Sequence, residues 1–321
     1  MKIIALDIGS SFTKSAIMDT ASGALLSKTR MPTPARLDTD DPTRFEVDAD
    51  LIYDTVTQLI DAQLAQTREI GGIFFSIQMH GYILSRGLEA VTPYVSWQDA
   101  YADKPRPEGS HLARLQQLLG PDAVASMGTR YKSGIAACSL YARQQQHPIA
   151  LEGLRFHTLG GYLIYRMSGG KAHACHLTSA AATGFADAPR GVWNARTIRL
   201  TGCDALTFPA IVPADRPLGS YRGVPLYCDI GDHQASVYGA GDDLASAAII
   251  TIGTAGIVCA VAPGFVHADM EVRPFFDEHC LMTITRQPGG RVVDVIIDLI
   301  QDAVCTVTDA PCQRQEIWRR L

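Results

Sequence analysis

Apolar positions in this chain fall into short runs closed by turn residues and into longer stretches at helical spacing. The first run, Ile3–Leu6, stops at Asp7; Ile8-Gly9-Ser10-Ser11 follow, and a second apolar stretch lies around residues 15–18. Short runs bounded in this way predict strands, and Gly9 supplies a permissive backbone for the turn between them. Residues 50–66 set Leu51, Ile52, Val56, Leu59, Ile60 and Leu64 on one face of a helix, which leads through Gly71-Gly72 into a strand over 73–77. A polar, Pro-rich loop at 103–107 precedes helical segments at 111–119 and 134–146. A strand over 224–229 enters Gly231-Asp232, a helix starts at Ala235, and after Asp242-Asp243 a new strand begins near Ala247. Strands alternating with helices predict an α/β architecture.

One stretch offers a different reading. Residues 244–266 carry no charge, which is long enough to cross a bilayer. Gly253, Gly256, Pro263 and Gly264 interrupt it, and apolar run, Gly-Thr-Ala-Gly, apolar run reads better as two buried strands and a turn. No membrane partner is therefore expected.

Length adds that two domains are needed, since 321 residues exceed one core of about 100–200. The simplest cut gives 1–240 and 241–321. An apolar fraction of 47% against 19% charged describes a folded, soluble chain. A net charge of −5 without any Lys/Arg run argues against nucleic acid. The cysteines form no C-x-x-C pair, against both a disulfide framework and a zinc ribbon. The early Asp7 interrupts the first apolar run too soon for a signal peptide, so a cytoplasmic location is expected.

Four segments carry candidate chemistry. The first turn brings Asp7, Gly9, Ser10, Ser11, Thr13 and Lys14 together; such turns present N–H groups and hydroxyls to phosphate. Asp7 can hold Mg²⁺ through water, while the plain alternative is a hairpin with a polar tip. Ser76-Ile77-Gln78-Met79-His80-Gly81 follows a strand, where ligands gather in open α/β sheets. His80 could contact a sugar hydroxyl and Met79 its carbon face, or His80 is an ordinary loop histidine. Val95-Ser96-Trp97-Gln98-Asp99 sets an indole and a carboxylate two apart, on one side if extended; Trp97 as plain core is the alternative. In Asp229-Ile230-Gly231-Asp232-His233-Gln234, Asp232 could take a proton from an attacking hydroxyl or cap a helix. A short echo links the first turn to Ile249–Ile252 with Gly253-Thr254-Ala255-Gly256, a second strand delivering glycine and hydroxyl to a turn.

Together LDIGSSFTK (6–14), SIQMHGYIL (76–84), VSWQDA (95–100), HLTSAAATGFADAPRGVWN (176–194), GDHQASVYGAG (231–241) and TIGTAGIV (251–258) resemble the FGGY carbohydrate-kinase family. The resemblance implies an actin-like, ribonuclease-H-like ATPase fold and MgATP-dependent phosphorylation of a sugar. It implies a phosphate and magnesium site at Asp7, Thr13 and Lys14 and a second phosphate turn at Gly253 and Thr254. It also implies sugar contacts at Met79, His80, Trp97 and Asp99, with His233 beside them, and Asp232 as base. Gln-Met-His-Gly is similar to the xylulokinase-like branch and Gly-Asp-x-Gln-Ala-Ser-Val-Tyr to the sedoheptulokinase-like one, so a ketose is the expected acceptor.

Two departures stand out. Where the family has Arg two residues after the Trp-x-Asp carboxylate, this chain has Tyr101. The family also continues past this length to an adenosine-binding Gly-Gly segment, and Gly289-Gly290 comes too early to be that element. A complete first lobe with a truncated second lobe is therefore expected, with homo-oligomer formation open. The rival expectation is a non-catalytic, sugar-binding or regulatory remnant of such a kinase.

Overall fold

The computed structural model describes residues 1–67, 69–241, 244, 246–252, 256–266, 268–287, 289–308 and 311–320. Its main sheet starts with a meander of β1 (Lys2–Ile8), β2 (Phe12–Asp19) and β3 (Leu25–Pro32). β4 (Ile70–Ile77) and β6 (Val224–Gly231) run parallel to β1, and β5 (Pro217–Tyr221) pairs antiparallel with β6. The spatial order is β5-β6-β4-β1-β2-β3. Parallel pairing puts the carboxyl ends of β1, β4 and β6 at one edge, with Ile8 and Gly231 both in register with Ile77.

Alternation along β1 buries Ile4, Leu6 and Ile8. Helix α1 (Ala49–Leu64) starts where the Asp48 carboxylate accepts hydrogen bonds from the N–H groups of Asp50 and Leu51. It buries Ile52, Val56, Leu59 and Ile60 in the sheet's core, but Leu51, one residue off that stripe, faces solvent. Gln63 is buried in its place, its Nε2 donating to Ser15 Oγ at 3.0 Å. Gly71 and Gly72 lie inside β4 instead of before it. The Tyr227 ring, stacked 4.3 Å from Phe74, takes the space a side chain at 72 would need: a Cβ there would lie 2.7 Å from it.

Helices α2 (His111–Leu119), α3 (Pro121–Met127) and α4 (Ala136–Gln146) build a second core. Helix α5 (Leu159–Met167) packs on the main sheet, and α6 (Leu177–Ala182) lies beside β6. The short α7 (Ala195–Leu200) packs against α2, and α8 (Asp232–Tyr238) follows directly from β6. The uncharged stretch forms β7 (Ala248–Ile252) and β8 (Gly256–Pro263), an antiparallel pair with Ile250 opposite Val258. With β9 (Glu271–Pro274) and β10 (His279–Gln287) they make a second sheet, ordered β7-β8-β10-β9. Helix α9 (Gly290–Thr308) follows. Among the described residues no helix is long and apolar enough to cross a membrane.

The second sheet is joined to α3 by a backbone bond, Val272 N–H to Gly128 O at 2.7 Å. Gly128 has φ +78°, and a Cβ there would sit 2.1 Å from Val272 O. Gly128→Ala therefore combines left-handed strain with a backbone clash. We expect it to destabilise the chain by roughly 2 kcal/mol or more; urea unfolding showing a loss below about 0.5 kcal/mol would contradict the packing described.

Candidate active site

The turn after β1 is tied from behind. Gly9 O accepts from Thr33 Oγ1 at 2.8 Å and from Gln78 Nε2 at 3.3 Å, while Gly9 N–H donates to Phe12 O at 3.2 Å. Gly9 sits in ordinary backbone space; its need for glycine is the close approach of Phe12 O, 3.2 Å from where a Cβ would stand. Ser10 and Ser11 are exposed at the tip. Asp7 and Lys14 are cross-strand partners, bonded at 2.8 Å and open to solvent.

Thr13 is different: its side chain is fully buried and its hydroxyl lies 3.3 Å from Thr33 Oγ1. Adjacent residues of a strand face opposite ways, so Thr13 and Lys14 do not share a face. The structure gives Thr13 to the back of the turn and Lys14 to the front.

Asp232 opens α8, and Gly231 holds the cap position without a side-chain bond. Its Oδ1 accepts from the His233 N–H at 2.7 Å. Burial pushes its pKa up to about 6; that bond opposes the rise, Asp7 adds to it and Arg273 also opposes it. Gly231 makes this corner possible, since a Cβ there would lie 2.3 Å from Met79 Sδ and 2.6 Å from Gln234 Oε1. Met79 is thereby laid beneath the start of α8.

His80 has φ +76°, a strained value for a non-glycine residue. Its carbonyl accepts from Ala136 N–H at 2.8 Å, and its Nδ1 lies 2.8 Å from Ala182 O. Burial and the charge of Arg273 lower its pKa to about 3. The ring is thus neutral, Nδ1–H donates to the carbonyl, and Nε2 remains an acceptor.

Trp97 and Asp99 part company. The segment turns at 97–98 instead of extending, with Asp99 N–H donating to Ser96 O at 3.1 Å. Trp97 is 45% exposed, not core, and Asp99 is 1% exposed. Asp99 Oδ2 accepts from Arg143 Nη2 at 2.6 Å and Phe45 N–H at 3.0 Å, and Oδ1 from Tyr101 N–H at 3.3 Å. Arg143 also reaches Glu46 at 2.8 Å and lies over the Tyr101 ring. The cation expected at position 101 arrives from α4. Burial raises the Asp99 pKa even so, with Arg143 opposing.

Sequence reasoning missed a further group. Arg273 Nη2 donates to Glu271 at 2.5 Å, and Arg273 Nη1 lies 3.1 Å from His233 Nδ1. Glu271 also accepts from Lys132 Nζ at 3.1 Å. This ionic bridge runs from the segment before α4 through β9 to the residue after Asp232. Its only sequence signal is Glu-x-Arg at strand spacing, which places both side chains on one side of β9.

An exposed Asp7 with Lys14 beside it fits Mg²⁺ and phosphate, because magnesium commonly takes one or two carboxylates with waters and phosphate oxygens. Among the described residues no three His, Cys, Asp or Glu side chains cluster as a metal cage. Gly253 and Thr254 lie outside the described residues.

Residues 2–249 match the FGGY family of carbohydrate kinases, N-terminal domain, and the chain belongs to this family. An apulose kinase of Pectobacterium atrosepticum is 27% identical over 273 residues, covering 78% of this chain and 53% of that one. A xyloylose kinase of Brucella ovis superposes with a TM-score of 0.82 at 19% identity, covering 100% of this chain and 65% of that one. Plasmodium falciparum glycerol kinase with ADP gives 0.79 at 15% identity, covering 94% and 64%. The fold is the actin-like ATPase fold of these sugar kinases, and the chain spans about half the length of the apulose kinase.

Removing Arg143 would leave Asp99 buried without its cation, while Glu46 keeps Arg44 at 2.8 Å. Arg143→Met is expected to cost about 3–5 kcal/mol, read by denaturant unfolding, and a loss under 1 kcal/mol would mean that the pair is hydrated.

Proposed function

We propose that this chain carries the sugar- and phosphate-facing part of an ATP-dependent carbohydrate kinase that phosphorylates a ketose hydroxyl. The observation that carries the reading is Asp232: a carboxylate beside the Asp7 turn, with a pKa held near 6. Such a group is ionised at neutral pH yet basic enough to take a hydroxyl proton, an effect worth about 10²–10⁴ in rate.

In this reading residues 1–240 form the sugar and phosphate domain and residues 241–321 begin the nucleotide domain. Ser10, Ser11, the Gly9 turn and Lys14 face phosphate oxygens, and Asp7 holds magnesium through water. Thr13 braces that turn through Thr33, and Gly253 and Thr254 make the opposite phosphate turn. MgATP, when bound, supplies the phosphoryl group and spreads its charge. Met79 lies under the carbon face of the sugar, His80 accepts from a hydroxyl, and the exposed Trp97 is a stacking platform. Asp99 acts through Arg143 and the backbone, holding the Trp97 turn in place. The similarity to an apulose kinase and a xyloylose kinase supports a sugar acceptor.

Asp232→Asn is expected to abolish transfer in a coupled assay over xylulose, sedoheptulose, ribulose and glycerol while leaving ketose affinity within about threefold. In the wild type, protonating the base removes activity. The rate should therefore fall about tenfold per unit below pH 6 and level off above it. Unchanged turnover in Asp232→Asn would remove the assignment. Calorimetry with a non-hydrolysable ATP analogue decides the rival: ketose binding without nucleotide binding identifies a sugar-binding protein.

A further inference from the structure

His233 stands next to the base, and its ring is held from one side. Arg273 Nη1 lies 3.1 Å from His233 Nδ1. A guanidinium has only donors and stays protonated, so Nδ1 must be the acceptor in this contact. A neutral imidazole that accepts at Nδ1 carries its proton on Nε2. That Nε2 is buried and has no partner among the described residues. A buried N–H without an acceptor costs about 1–3 kcal/mol, so a ligand oxygen or a water belongs there.

The guanidinium itself is fixed. Its side chain is 14% exposed, and Nη2 is bonded to Glu271, which Lys132 holds from the other side. His80 is held in the opposite sense. There Nδ1–H donates to Ala182 O, which leaves Nε2 as an acceptor. The two rings, one just after β4 and one on α8, thus present an acceptor and a donor. Sugar hydroxyls both give and take hydrogen bonds, so each ring has a matching partner on such a ligand.

We infer that Arg273 is a positioning residue that locks His233 in its Nε2–H form, so that His233 donates to a sugar oxygen beside Asp232. The inference rests on the kinase reading for the identity of the ligand, but not for the state of the ring. Burial and Arg273 lower the His233 pKa to about 4, which keeps the ring neutral at pH 7.

Proton–nitrogen correlation spectra of the ¹⁵N-labelled full chain at pH 7 test the ring directly, with His233 assigned by its loss in His233→Gln. The wild type is expected to show a bare Nδ1 and a protonated Nε2. Arg273→Met should give an averaged or reversed pattern, and Arg273→Lys, which keeps a cationic donor, should restore the original. Unchanged signals from His157 and His173, which do not feel the Arg273 charge, check that each variant is folded. A protonated Nδ1 in the wild type, or an unaltered ring in Arg273→Met, would overturn the inference.

Titration with xylulose supplies the second arm. Saturation should shift the His233 Nε2–H signal, and Arg273→Met should weaken binding about tenfold, the worth of one buried hydrogen bond. Equal affinity in wild type and Arg273→Met would overturn the donor role. If no ketose binds the wild type while the ring is locked as described, the kinase reading falls and the tautomer assignment stands.

Discussion

Three parallel strand ends in register set the geometry on which this site depends. Ile8, Ile77 and Gly231 stand abreast, so the residues just beyond them are neighbours although some 70 and 150 positions separate them in sequence. Each strand hands a different group to the same edge: a hydroxyl-bearing turn with its carboxylate and lysine, a strained histidine, and a carboxylate at the start of a helix. A one-residue slip of β6 would turn its buried set outward and separate Asp232 from Met79. The core of Ile4, Leu6, Ile73, Phe75 and Leu226 therefore determines the chemistry as much as the polar residues do.

Charge is then arranged around that edge by burial. Asp99, Glu46 and Arg143 form a buried set, Glu271, Arg273 and Lys132 a half-buried one, and the two differ in purpose. The first holds the turn that carries Trp97 and satisfies backbone N–H groups of Phe45 and Tyr101. The second ties the β9 strand to the helix that starts with Asp232. Neither arrangement is an economical source of stability, since buried ion pairs often do no better than apolar packing. Their value lies in fixing geometry: a guanidinium held by two carboxylates, or by a carboxylate and an imidazole, has one place to be.

Much of this was legible in the residue pattern. The strand–turn at 3–11 and the helix at 111–119 follow from local spacing and turn chemistry, and the structure places elements there; the helix expected from Ala235 starts earlier, at Asp232 itself. What escaped depends on contacts between distant segments. Gly71 and Gly72 read as lying before the strand because what fills the space of their missing side chains, Met1 Sδ at 71 and the Tyr227 ring at 72, comes from distant parts of the chain. Thr13 reads as a phosphate contact from its place in the motif, whereas strand alternation sends its side chain away from Lys14 and buries it. Trp97 and Asp99 read as one surface because a two-residue turn leaves little mark in the sequence. Arg273 carried no signal beyond a Glu-x-Arg on an edge strand, and its meaning appears only when β9 is laid beside α8.

The arginine at Asp99 bears on how chains of this kind are compared. Read letter by letter, Tyr101 stands where the resemblance leads one to expect a cation, and the carboxylate looks unpaired. In space the Arg143 guanidinium reaches Asp99 from α4, at 2.6 Å. The partner is found by its place in the fold, not by its place in the motif. A spatial census of charges, not a string of matched letters, is the measure by which such chains are related.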